Sequence, residues 1–350
     1  MAAYTPGEQP QGGGWVKLNT NENPYPPSPQ ALAAIRVVVA AEGAALRLYP
    51  SPDASPLREA AAKLHGFPAA DILAGNGSDD LLNILIRAYA GPGRPIGMLD
   101  PSYSLYPVLA AAQGAAVVKV PIRADFSFDV EAVAKCGAAI FFLTNPNAPL
   151  GVSFLPAKVS ELARAFPGLL VVDEAYAAFA DADCAELPKT HANVVVTRTF
   201  SKGHALAGLR AGYALCPPGL ATILHRVRDS YNLDRLAQVG AAAALADTAW
   251  LHETVGKVRF ERARLTSGLV ALGWSVVPSS GNFILATPAS AQRSGSPATG
   301  EHAFAFFRER KILVRRFPNH PLTASALRIT VGTAAEMDAF LAAAQAWSEG

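Results

Sequence analysis

The sequence predicts an α/β protein: a mainly parallel sheet flanked by helices, followed by a smaller α+β domain. Three observations carry this. Short apolar runs rich in β-branched residues alternate with helical stretches between about residue 70 and residue 215, the pattern of βα units. Four turns with chemical potential each follow such a run, at Gly75–Asp79, Tyr103, Asp173 and Lys202. Beyond them the alternation gives way to short strands separated by a Ser/Pro/Gly segment. At 350 residues the chain exceeds one ordinary domain. The expected division is an N-terminal arm and helix packing with the small domain (1–42), a large domain (43–245) and a small C-terminal domain (246–350).

Composition narrows the function. The chain is 51% hydrophobic, enough for a sizeable core, and its net charge is +2 with no basic run. Electrostatics therefore give no footprint for nucleic acid. Cys136, Cys184 and Cys216 are scattered, with no spacing for a metal or a disulfide framework, so no metal is expected and a reducing cytoplasm is. No apolar stretch approaches a membrane span, and the Gly/Pro-rich start lacks a signal core. Residues 1 to about 14 are expected to be mobile.

Leu18–Pro29 holds too much Asn and Pro for helix or strand and reads as an extended arm, or equally as a disordered leader. Pro29–Ala45 reads as a helix, Pro50 and Pro52 break it, and Ser55–Leu64 begins another. From Asp71 a short apolar run meets Gly75-Asn76-Gly77-Ser78, and a helix begins at Asp79-Asp80. Glycines permit a tight turn, and the free N–H groups of a first helical turn make an anion site. The acidic pair reads equally as a cap and dipole partner. Arg94–Leu99 is a strand, and Tyr103 beyond it could stack on a planar ligand or simply pack. Strands at Ala116–Pro121 and Ala138–Leu143 precede a rigid turn, Thr144–Gly151.

Leu169–Val172 ends in Asp173-Glu174. A carboxylate at the end of an apolar strand is costly to bury without a partner, and a cationic ligand nitrogen would be one. Asp173 also reads as a helix cap, and Tyr176 lies three residues on. Val194–Val196 is a buried strand leading to Thr199-Phe200-Ser201-Lys202 and then to Arg210. Lysine amines form Schiff bases with carbonyl compounds, and Ser, Thr and Arg suit a phosphate. Gly212–Leu215 is the next strand, and one long helix is expected over roughly 237–271. The small domain should hold strands at 274–277 and 283–286, a linker at 287–300, a helix at 301–310, and strands at Ile312–Arg315 and Leu327–Val331. Arg315 and Arg328 both fall on strands, where a solvent-facing Arg is the ordinary case; both are also candidate anion clamps, since guanidinium binds phosphate or carboxylate bidentately. In a parallel sheet, strand carboxyl ends share one edge, so the glycine turn, Tyr103, Asp173 and Lys202 should converge.

The segments LNTNENPY, GNGSDD, DPSYSLYP, DEAY, TFSKGHALAGLRAGY, YNLDRLAQ and LRITVG, running from about Leu18 to Gly332, resemble the fold-type-I, class II pyridoxal-phosphate-dependent aminotransferases. Among these the chain is most similar to the histidinol-phosphate aminotransferase family. The resemblance implies pyridoxal 5'-phosphate as cofactor, bonded covalently to Lys202. It implies Asp173 on the pyridine nitrogen, Tyr176 on the phenolic oxygen and Tyr103 on the ring face. Gly77, Ser78, Asp79, Thr199, Ser201 and Arg210 would form the phosphate cup. Tyr49 would reach the cofactor phosphate of a second subunit, which makes a homodimer. Asn21, Glu22 and Asn23 would cover the substrate, Tyr231 and Asn232 would line the site, and Arg315 and Arg328 would bind the substrate's anionic end. The implied reaction exchanges an amino group between a phosphorylated amino alcohol, L-histidinol phosphate, and 2-oxoglutarate, giving glutamate. Aromatic-amino-acid transamination and threonine-phosphate decarboxylation share nearly all these motifs.

The sequence departs from the family at two places. Ala148 in NPNAPLG stands where an Asn usually faces the cofactor's phenolic oxygen, and Asp80 replaces a common Glu. A ligand-sensing domain fused to a DNA-binding module is disfavoured, since only about 17 residues precede the first motif. A dinucleotide-binding dehydrogenase is disfavoured because no G-x-G-x-x-G follows the first strand.

Overall fold

The computed structural model describes residues 6–289 and 297–349. Its strands in chain order are β1 (Val16–Lys17), β2 (Ile72–Gly75), β3 (Ile96–Asp100), β4 (Val117–Pro121), β5 (Ile140–Thr144), β6 (Leu169–Asp173), β7 (Val194–Thr199), β8 (Gly212–Leu215), β9 (Ser275–Val276), β10 (Phe283–Thr287), β11 (Ile312–Leu313) and β12 (Leu327–Thr330). Seven form the main sheet in the order β2-β8-β7-β6-β5-β3-β4. Only β8 runs against its neighbours. β2, β3, β6 and β7 therefore end on the same edge, as their turns required.

Central strands β5 and β6 are buried along their whole length, the mark of a parallel sheet covered on both faces. Alternate residues feed opposite cores. Phe141, Leu143, Leu170 and Val172 enter one, and Ile140, Phe142, Leu169 and Val171 the other. Edge strand β4 is half-exposed, carries Lys119 and ends in proline, which suits an edge. A three-stranded antiparallel sheet, β12-β10-β9, forms the small domain. Its core holds Phe307, Phe340, Ile329 and Trp274.

The N-terminal segment divides its contacts. β1 pairs in parallel with β11 of the small domain. The helix Pro29–Val39 packs instead against Arg235–Ala246 in the large-domain core, with Ala31, Ala237 and Ala241 at the contact.

Several expected boundaries differ. The single helix at 237–271 is two, Arg235–Ala246 and Thr248–Ala271. They are broken at Asp247, whose carboxylate accepts from the Trp250 N–H at 3.4 Å and the Ser28 hydroxyl at 2.5 Å. A side chain that caps the second helix favours a break over continuation. The first helix ends at Val39 rather than Ala45, because Glu42 and Gly43 adopt left-handed backbone. The glycine-turn helix begins at Gly77, two residues earlier than expected. Ile312–Arg315 shortens to a two-residue strand, with Arg315 bridging Arg328 across the chain. The helix expected at 301–310 starts at Pro297, inside the expected linker, of which 290–296 lie outside the described residues. Residues 6–9, expected to be mobile, make defined contacts: the Glu8 carboxylate pairs with Arg308 at 2.9 Å. Among the described residues no helix is long and apolar enough to cross a membrane, and no cluster of His, Cys, Asp or Glu could hold a metal.

Candidate functional site

The carboxyl edge of the sheet, the arm and the small domain enclose a cleft of about 290 Å³. Ser78, Asp79, Tyr103, Asp173, Tyr176 and Lys202 line its large-domain side. Asn21, Glu22, Arg315 and Arg328 line the other. The four strand-end signals thus meet in one cavity.

Asp173 closes β6 opposite Thr144 on one side and Thr197 on the other. It is only 2% exposed. Its carboxylate accepts from the Tyr106 hydroxyl at 2.7 Å and from Thr197 Oγ1 at 3.4 Å. Burial pushes its pKa up to about 6, against the downward pull of the Tyr106 hydrogen bond. Tyr106 is itself fully buried, stacks on Phe142 and shares its hydroxyl with Thr144 Oγ1 at 2.6 Å. A buried carboxylate held by neutral donors is a ready counter-charge for a cation entering the cleft.

Lys202 lies three residues past β7. Its Nζ donates to the Thr20 carbonyl at 3.0 Å and lies 6.0 Å from the centre of the Tyr176 ring. Burial, then the Arg328 guanidinium, lower its pKa to about 8. A lowered pKa enriches the neutral amine, which is the nucleophile. Covalent capture of an aldehyde by this lysine should therefore quicken as pH rises and level off above about 8. Stopped-flow absorbance reads this, and a midpoint near the ordinary 10.5 would contradict the buried placement.

The phosphate-like cup surrounds Arg210, itself in left-handed backbone (φ 49°). Arg210 Nη1 donates to Ser201 Oγ at 3.0 Å, and Thr199 Oγ1 donates to the same atom at 3.0 Å. The N-terminus of the helix Gly77–Tyr89 faces them, and Arg210 Nη2 reaches Asp79 at 3.4 Å. Gly77 (φ 79°) sits in backbone that L side chains rarely adopt, and a Cβ there, 2.5 Å from Arg210 Nη2, would also push that guanidinium aside. The acidic pair divides its work. Asp79 accepts from the Tyr103 hydroxyl at 3.2 Å, while Asp80 accepts from the Asn76 N–H and the Asn232 amide, each at 2.9 Å. A shorter Asp80 therefore still closes the helix start.

At the opposite end, Arg315 and Arg328 exchange main-chain hydrogen bonds of 3.0 and 2.8 Å. Arg328 Nη2 donates to the Asn19 carbonyl at 2.7 Å, and Arg315 Nη1 to the Pro6 carbonyl at 3.1 Å. Both guanidinium groups lie near Phe317, at 5.1 and 5.9 Å. Like charges held opposite each other repel, a cost that an anion between them offsets.

Other candidate residues lie elsewhere. Asn23 does not line the cleft; its amide donates to the Lys202 and Gly203 carbonyls, each at 3.1 Å, and so clamps the lysine's backbone. Tyr49 is 78% exposed and stacks on Tyr231 at 4.7 Å, away from this chain's cleft. Asn232 holds the glycine turn through Asp80 and the Ala74 carbonyl at 3.2 Å. Asn147 is occupied by the Pro101 carbonyl at 3.2 Å and the Leu150 N–H at 3.3 Å, so beyond Thr144 at its start that turn offers the cleft Ala148. Sequence reasoning missed Tyr106, Thr144, Thr197, Asn19, Thr20 and Thr330. Tyr106 carried a signal, a second aromatic three residues after Tyr103 at the same strand end. The threonines carried none.

Comparison with known proteins agrees with this geometry. The sequence model of the family "Aminotransferase class I and II" matches residues 13–343. Histidinol-phosphate aminotransferase of Geobacter sulfurreducens is 46% identical over 344 residues, 98% of this chain and 96% of that protein. The enzyme of that name from Synechocystis is 44% identical over 342 residues, 97% of this chain and 94% of that one. The crystal structure of histidinol-phosphate aminotransferase from Sinorhizobium meliloti in complex with pyridoxal 5'-phosphate superposes with a TM-score of 0.86 at 30% identity, covering 95% of this chain and 90% of that one. With a buried strand-end carboxylate, a lysine of lowered pKa and a serine–arginine cup on one sheet edge, the chain belongs to the class I and II aminotransferases.

Proposed function

We propose that this aminotransferase uses pyridoxal 5'-phosphate to move the amino group of L-histidinol phosphate onto 2-oxoglutarate, giving imidazole-acetol phosphate and glutamate in histidine biosynthesis. The observation that carries it is two anion-binding groups in one cleft: the Ser201–Arg210 cup and the Arg315–Arg328 pair. One suits the cofactor's phosphate. The other suits a phosphorylated donor and, in turn, a dicarboxylate acceptor. The names of the full-length relatives support the same substrate.

The residues present fit the cofactor. Asp173 needs a cationic partner and would take the pyridine nitrogen. Lys202 would bond to the aldehyde, Tyr176 would face the phenolic oxygen and Tyr103 the ring. Ser78, Asp79, Thr199, Ser201 and Arg210 would hold the phosphate. Bound there, the cofactor supplies an electron-withdrawing ring that stabilises negative charge on the substrate carbon. The protein's own part is positional and protonic. Tyr106 and Thr197 fix the Asp173 carboxylate. The Lys202 amine carries the proton at the reacting carbon, near neutral pH because burial lowers its pKa. The arm closes the cleft against water through Asn19, Thr20 and Asn21.

Arg328→Ala should raise KM for the phosphorylated donor by roughly 10- to 100-fold, with a smaller change in kcat, because it removes a charge-assisted contact made before reaction. Initial-rate kinetics check this. Profiling histidinol phosphate, phenylalanine and threonine phosphate side by side tests the substrate. Preference for phenylalanine, or release of CO₂ from threonine phosphate, would overturn it.

We also read the protein as a cytoplasmic homodimer with 43–245 and 246–350 as its domains. Val37, Leu46, Leu48 and Tyr49 are 75%, 50%, 54% and 78% exposed within one short segment, an apolar patch that a second copy would cover. Tyr49 would then reach the partner's phosphate cup. Sedimentation velocity on the purified protein decides it, and a monomer at micromolar concentration would refute it.

A further inference from the structure

Asn21 has a place that cover over a substrate does not explain. It is 1% exposed and sits in left-handed backbone (φ 53°), which Asn tolerates better than most residues. Its hydrogen bonds link Thr330 to Tyr176. The Asn21 N–H donates to Thr330 Oγ1 at 3.0 Å. Thr330 Oγ1 in turn donates to Asn21 Oδ1 at 3.1 Å. Thr330 Oγ1 thus accepts from the main chain and gives its one hydrogen to the amide, and in this pairing Oδ1 is the atom facing Thr330. The amide nitrogen therefore faces Tyr176, and Nδ2 donates to its hydroxyl at 3.0 Å. The Asn21 carbonyl accepts from the Asn282 amide at 3.0 Å, which fixes the main chain as well.

An amide N–H can only donate. In this contact the Tyr176 oxygen is therefore the acceptor, and its proton is directed away from Asn21. Ala148 and Phe283 pack beside it, the latter ring 5.0 Å away.

We propose that Asn21 is a positioning residue: by donating to Tyr176 it turns the phenol O–H toward the phenolic oxygen of bound pyridoxal phosphate. Position 148, an alanine, cannot serve that oxygen. The arm supplies the missing amide from the other side of the cleft, and Thr330 of β12 sets its orientation. The inference rests on the reading that Tyr176 faces the cofactor's phenolic oxygen.

The test is a spectroscopic titration of the enzyme reconstituted with pyridoxal phosphate, following the cofactor absorbance against pH. A hydrogen bond given to the phenolic oxygen favours its ionised form. Asn21→Ala and Asn21→Asp should both move the midpoint upward by about one unit. Asp keeps the size of Asn and suits the left-handed backbone, so it guards against misfolding. On a Tyr176→Phe background, Asn21→Asp should add no further shift, since its effect passes through the phenol. Thr330→Val should shift the midpoint in the same direction, while Thr330→Ser, which keeps the hydroxyl, should not. A midpoint moved by Tyr176→Phe but by neither Asn21 variant overturns the proposal and leaves the cofactor reading standing. An additive shift in the double variant also overturns it. No shift from Tyr176→Phe sinks the cofactor reading itself.

Discussion

Replacing Lys202 with Ala should lower turnover by at least about 10⁴-fold, because one amine serves both as the covalent anchor and as the carrier of the proton. Coupled glutamate assays read this, and a variant with wild-type turnover would remove Lys202 from the reaction. The same lysine should cost stability. Its folded pKa, about 8, lies below the ordinary 10.5 of a lysine. The unfolded chain thus binds the proton more tightly, and stability rises with pH between those values. Below about 8 the charged amine is held in a site that disfavours it. Lys202→Met keeps the stem and removes the charge. Without cofactor at pH 7 it should be more stable by about 1–2 kcal/mol. Thermal unfolding of the two apoproteins measures this, and a less stable variant would contradict the buried charge.

Asp173→Asn should lower turnover by roughly 10²- to 10⁴-fold, the range for removing one partner of a buried ion pair. The shape is kept, so Tyr106 and Thr197 retain a neighbour while the negative charge is lost. The stability effect has the opposite sign. Burial raises the Asp173 pKa from 3.8 to about 6. The folded state therefore binds this proton more tightly than the unfolded state. That contribution is complete below about 3.8 and is lost as pH rises through about 6. Apoprotein carrying Asn should be the more stable at pH 8, with the advantage shrinking toward pH 4. Melting curves at several pH values decide it; an advantage that grows on acidification would refute it. Both substitutions describe a site that sacrifices stability for charge placement.

The large domain was legible because its signals are local. Val194–Val196 ahead of Lys202, Leu169–Val172 ahead of Asp173 and the glycines ahead of Ser78 are each read within ten residues. Their convergence followed from one rule about parallel sheets. What escaped depends on distant pairs. Asn21 meets Thr330 across 309 positions and Tyr176 across 155. No periodicity encodes such a contact, so Asn21 read as cover for a substrate and Thr330 as one more strand residue. β1 is two residues long and owes its conformation to β11, which local propensity cannot reveal. The break at Asp247 is hidden because no Gly or Pro marks it, and the capping competition that stops the helix becomes visible only with Ser28 alongside.

The reversed strand β8 has a consequence for how the protein is made. β2 carries the glycine turn at the sheet edge, and its ladder is with β8, Gly75 lying opposite Gly212. On the ribosome, β3, β5, β6 and β7 can begin to assemble in order as they emerge. β2, though synthesised before all of them, must wait for the last. The first-made half of the phosphate cup is thus the last to be docked, so a nascent chain halted before β8 would hold the carboxylate and the lysine without the turn that completes their site.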